Sequence, residues 1–230
     1  KENKMAALTF DDLFPEYFTL YRGQATNIPG PTDPEYLIAL QLAQNSKRKW
    51  ARADGIEWNE LWKTFSDDGG EVISSGTLEY DVDDMRKPPK QITIGGSVLP
   101  VVDAPQVDLI SQNVAWFTGS PTQGFVLHLR TVTDSMVGET LDFIYLKEPT
   151  PITTGTSLIE MSDPTFLIHD MLASRFTNAR NGFAVKVHKQ EATTALQNMK
   201  IDNNTGTYGR SDNLGSQGAG FGVHTRASII

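Results

Sequence analysis

Apolar positions along this chain recur at helical spacing near both ends and alternate with polar ones in the middle, which predicts a helix, strand, helix order. Thr9 precedes Phe10-Asp11-Asp12-Leu13-Phe14, whose acidic first turn marks a helix start, and Pro15 predicts that this piece is short. Beyond a loop from Gly23 to Pro31, Thr32 is the expected N-cap of the next helix, with Pro34 in the first turn and Glu35 as the capping-box acid. Tyr36, Leu40, Ala43 and Trp50 form its apolar stripe, and Ala53-Asp54-Gly55 supplies a stop. Trp58, Leu61, Trp62 and Phe65 share helical spacing, so a second helix from Trp58 to Phe65 is predicted, making an αα-hairpin.

The period then changes. Thr77 to Val82, Gln91 to Ile94, Phe125 to Arg130 and Leu141 to Leu146 alternate apolar and polar residues between Gly, Pro and Asp turns, the pattern of a small antiparallel sheet or sandwich. Ser162-Asp163-Pro164 caps a further helix carrying Phe166, Leu167, Met171, Leu172 and Phe176. After Asn181-Gly182 a longer helix reaches about Ile201 with Val185, Ala192, Leu196 and Met199 aligned. From Asp202 to Ile230 there is no period, and the Asn, Gly, Ser and Thr content cannot bury enough apolar area to order itself without a partner. The expected organisation is an N-terminal helical segment (1–68), a β insertion (69–151), C-terminal helices completing a bundle (152–201) and an extended arm (202–230). The fold class is α+β.

Composition narrows the function. A hydrophobic share of 39%, a charged share of 21% and the 19 Gly and 12 Pro imply extended structure and surface that is covered only in an assembly. The net charge of −8 argues against a surface that binds nucleic acid throughout and leaves room for a local basic patch. With no cysteine there is no disulfide, thiolate metal site or cysteine nucleophile. No run of about 18 apolar residues exists for a membrane span, and Met5 to Phe10 lacks the apolar core of a signal peptide.

Catalytic patterns are absent, and the chain is expected to be non-enzymatic, without cofactor or metal. His128, His169, His188 and His224 share no metal-binding spacing, and packing or surface roles are expected for them. Asp81, Asp83 and Asp84 open like a calcium loop but lack its glycine and closing Glu. Gly218-Ala219-Gly220-Phe221-Gly222 lacks the strand and helix that would aim N–H groups at phosphate. Lys47, Arg48, Lys49 and Arg52 close the second helix, where they offset its dipole or else contact DNA phosphates or an acidic neighbour. In the arm, Tyr208, Leu214, Phe221, Val223, Ile229 and Ile230 are the candidate partner contacts, seated in pockets or along an exposed sheet edge.

Five phrases in order carry a resemblance: Leu13-Phe14 to Tyr21-Arg22-Gly23, Ala51-Arg52-Ala53-Asp54-Gly55-Ile56-Glu57-Trp58, Gly119-Ser120-Pro121, Phe143-Ile144-Tyr145-Leu146-Lys147-Glu148-Pro149, and Asp163-Pro164-Thr165-Phe166-Leu167-Ile168-His169. Across about residues 9 to 200 the chain resembles bacteriophage head-to-tail adaptor proteins, the group that includes the tail tubular A proteins of short-tailed phages. The resemblance implies a helical bundle with a β insertion and a structural, homo-oligomeric ring, dodecameric in that group. The ring would lie between the portal protein and a tail nozzle or stopper, with double-stranded DNA passing through without sequence recognition. It also implies assembly in the host cytoplasm and a final place in the virion neck. Three other classes stay open: another neck or tail subunit such as a stopper or tube, a β-rich carbohydrate- or protein-binding module, and a hydrolase built on Asp103, Asp108 and Asp134.

Overall fold

A computed structural model describes residues 8–24, 26–68 and 70–211. The first helix, α1 (Phe10–Arg22), begins at a capping box in which Thr9 and Asp12 exchange hydrogen bonds. It does not stop at Pro15 but runs through it. Phe10, Phe14, Tyr17 and Phe18 are all buried on one face, and that packing outweighs the hydrogen bond the proline forfeits. Helix α2 (Pro34–Ala51) is capped one residue later than predicted, at Asp33. The Asp33 carboxylate turns back to accept the Gly30 N–H, and Glu35 reaches Arg22 instead of closing a capping box.

The predicted helix from Trp58 to Phe65 is not formed. A single 3₁₀ turn (Asn59–Leu61) leads into strand β1 (Trp62–Thr64), so there is no αα-hairpin at this point and strand begins before residue 69. The four apolar residues serve different cores. Trp58 and Leu61 are buried in the helical bundle, while Phe65 stacks on Phe143 at 4.6 Å in the β layer.

The β insertion is three small antiparallel sheets. Its strands are β2 (Glu71–Val72), β3 (Glu79–Val82), β4 (Met85–Lys87), β5 (Gln91–Ile94), β6 (Ser97–Pro100), β7 (Ala115–Ser120), β8 (Gly124–Leu129), β9 (Thr140–Asp142) and β10 (Ile144–Lys147). They pair in the orders β1-β10-β4, β2-β9-β5-β6 and β3-β8-β7. The predicted single strand from Leu141 to Leu146 is two, because the chain changes sheets at Phe143. There the Asp142 carboxylate accepts the N–H groups of Ser66 and Phe143.

Helix α3 (Thr165–Asn178) starts where Asp163 accepts the Thr165 N–H, and α4 (Gly182–Ser211) returns antiparallel to it through a turn with Arg180 in the left-handed region. The arm expected from residue 202 begins instead as helix, to Ser211. Asn203 explains the extension: it is buried, its side chain accepts the Asn59 N–H at 2.7 Å and its amide donates to the Glu57 carbonyl at 3.2 Å. Helices from both ends of the chain therefore share one core, which contains Phe14, Trp50, Leu167, Leu172, Ala195 and Met199. A second core, around Ile92, Leu127, Leu141 and Tyr145, lies between the sheets.

Candidate partner-contact surface

The basic residues at the end of α2 separate into different environments. Lys47 does not reach a partner surface: its side chain is 1% exposed, paired with Glu160 at 2.8 Å and donating to the carbonyls of Thr150 and Leu158. A buried ammonium needs this much compensation. Burial pushes the Lys47 ammonium down from its ordinary pKa, and Glu160 pulls it back. Burial opposes ionisation of Glu160 as well, yet hydrogen bonds from Lys147 and Lys47 together hold its carboxyl below the usual range. Glu160 also accepts the N–H and hydroxyl of Thr150. The assembly of Lys47, Lys147 and Glu160 ties α2 to β10 and to the segment ahead of α3.

Arg48, Lys49 and Arg52 are exposed. Lys49 pairs with Asp170 of α3 at 2.7 Å. An open groove of about 630 Å³ runs between α2, α3 and α4, lined by Asn45, Arg48, Lys49, Asp170, Thr177 and Lys189 among others. Its basic rim suits an acidic or phosphate-bearing neighbour and carries no base-reading geometry.

Tyr208 falls in the last turns of α4, and Leu214, Phe221, Val223, Ile229 and Ile230 lie outside the described residues. Exposed apolar side chains occur instead at Phe183 (81% exposed) at the start of α4 and at Leu109 (84%) in the 3₁₀ turn Ala104–Leu109. The acids named for a hydrolase do not converge. Asp103 precedes that 3₁₀ turn and Asp108 lies within it, Asp134 lies in the loop before β9, all three are exposed, and no hydrogen bond or ion pair joins them among the described residues. Asp84 is engaged by Lys63 at 2.8 Å and by the Tyr145 hydroxyl at 2.6 Å, which leaves it below the ordinary carboxylate range despite burial. No group of three or more His, Cys, Asp or Glu that could hold a metal occurs among the described residues.

Three clusters carry no local sequence signal. Arg22 and Arg175 both pair with Glu35, at 2.9 and 3.6 Å, and both lie over the Tyr21 ring. On the outer face of the β3-β8-β7 sheet, His128 stacks on Trp116, contacts Thr118 at 2.7 Å and faces Glu79 at 3.3 Å. Strand register explains this: Glu79 and Trp116 are the cross-strand partners of His128 on either side. His169 and His188, far apart in sequence, bring their Nδ1 atoms to 2.9 Å across the α3–α4 hairpin.

No protein-family model matches the chain, and no characterised protein matches it in sequence. No helix among the described residues is long and apolar enough to cross a membrane.

Proposed function

We propose that the chain is a non-enzymatic subunit of a bacteriophage head-to-tail adaptor, assembled as a ring between portal and tail and framing the passage of double-stranded DNA. The observation that carries this reading is architectural: helices from the two ends of the chain close into one bundle around an inserted β layer, the arrangement the resemblance implies. Exposed Phe183 and Leu109 add support, since large apolar side chains at such exposure are suited to burial against neighbours. The basic rim of the α2–α3–α4 groove is the surface offered to an acidic or phosphate-bearing neighbour. In an acidic ring, negative charge facing the lumen would limit sticking of DNA during its passage.

Native mass spectrometry and negative-stain imaging test the proposal. A closed ring, or ring closure on addition of a portal, is the expected result, and Phe183→Asp should weaken assembly while leaving the melting temperature of the subunit unchanged. A chain that stays monomeric with and without a portal overturns it. An open stack of subunits would instead favour a tube subunit, whose head-to-tail contacts do not close.

A further inference from the structure

Helix α4 has a second patterned face. Ala192, Ala195, Met199 and Asn203 are buried on the side it turns to the bundle. About half a turn round the helix lie Phe183, Val187, Gln190, Thr194, Gln197 and Ile201, every one exposed and none charged. They follow one another in alternating steps of four and three residues. That is the rhythm of a heptad seam, with Val187, Thr194 and Ile201 at its a positions and Phe183, Gln190 and Gln197 at its d positions. The stripe is about 27 Å long and keeps to one side of the helix throughout. Thr194 donates its hydroxyl to the Gln190 carbonyl at 3.0 Å, so that polar group is satisfied within the helix and asks nothing of a partner.

The two borders of the stripe carry opposite charges. Lys186 stands at a g position on one border and Glu191 at an e position on the other, and both are exposed. When two such helices lie parallel and in register, each g residue faces the e residue of the following heptad on its partner. Lys186 of one copy then meets Glu191 of the other, twice by symmetry. An antiparallel arrangement sets g against g and brings Lys186 toward Lys200, two like charges.

We propose that the outer stripe of α4 is a self-association face through which two copies of this chain pair in parallel, in register, about a twofold axis. Phe183 and Val187 form apolar layers at one end of the seam and Ile201 at the other. The Gln190, Thr194 and Gln197 layers between them fix the register and keep the pair weak. A twofold contact joins two chains and cannot close a ring, so this face is separate from the ring contact proposed above, and its failure leaves that reading standing.

Sedimentation equilibrium of the full chain provides the test, and a reversible, concentration-dependent dimer is expected. Lys186→Glu and Glu191→Lys each set like charges across the pair and should weaken it about tenfold. The chain carrying both changes should regain the parent affinity, and an equimolar mixture of the two single variants should form a heterodimer tighter than either homodimer. Cross-linking reads the orientation: the sequence has no cysteine, so Gln197→Cys supplies the only thiol, and oxidation should link two parallel chains through it. Circular dichroism of each variant separates loss of pairing from loss of the fold. A chain that stays monomeric up to roughly 100 μM would overturn the proposal. So would folded single variants that pair as the parent does, a double change that restores nothing, or a Gln197→Cys thiol that resists cross-linking. A closed ring indifferent to both charge reversals would uphold the ring and overturn the pair.

Discussion

At the scale of single residues, the strongest commitments in the molecule are polar groups that had to be buried. Glu160 stays ionised on burial with two ammonium partners, and replacing it by Ala strands Lys47 in the interior, at a cost of about 3–5 kcal/mol in urea unfolding. The pH dependence has a definite sign. A carboxyl whose pKa falls on folding adds stability above its ordinary value of 4.5, and that stability is lost as pH drops through the lower folded value. Glu160→Gln should therefore flatten the acid limb of the stability curve, checked by thermal melts between about pH 6 and 3. Asn203→Ala should cost about 1–3 kcal/mol by leaving the Asn59 N–H unsatisfied, measured as a shift in denaturation midpoint at constant slope. Neither site was legible in the sequence. Lys47 looked like its exposed neighbours Arg48 and Lys49, because a run of basic residues says nothing about which one a helix turns inward. Asn203 looked like the first residues of an arm, because its partners Glu57 and Asn59 lie far away along the chain. Likewise His169 and His188 share no motif, and only the hairpin brings them together.

At the scale of elements, local chemistry was legible where it was self-contained. The helix start after Thr9, the Asp163 cap, the strand Gln91–Ile94 and the antiparallel character of the insertion all follow from short-range pattern and match the structure. Expectations failed where a distant partner overrode the pattern. Pro15 was tolerated because an aromatic face was already committed to the core, so Pro15→Ala should raise the melting temperature, the restored hydrogen bond being worth up to about 3 kcal/mol. The segment from Trp58 to Phe65 has helical spacing, yet β10 needed a partner strand, and pairing of Trp62 with Leu146 won. Trp58 remains an anchor of the bundle, with its indole N–H donating to the Trp50 carbonyl at 2.7 Å and the two rings stacked. Trp58→Ala should cost about 3–5 kcal/mol, read from equilibrium unfolding by circular dichroism.

At the scale of the whole molecule, two apolar cores meet at one strand. Tyr145 of β10 belongs to the β core and its neighbour Leu146 to the helical core, so the wall between them is a strand apolar on both faces. Unfolding followed separately by far-UV circular dichroism and by tryptophan fluorescence should give coincident transitions, since Trp50 and Trp58 in the bundle and the strands of the insertion lose the same wall together. Separated midpoints would show that the cores melt independently. The shared wall also governs how the chain can change over generations. A one-residue slip in β10 would turn Leu146 into the β core and Tyr145 into the bundle, spoiling two interiors at once. Insertions and deletions are therefore barred from residues 144–147, and length can vary only in the outer loops of the insertion, such as the β7–β8 turn and the 131–138 loop. The exterior loops can therefore be remodelled while the joint between the halves stays fixed.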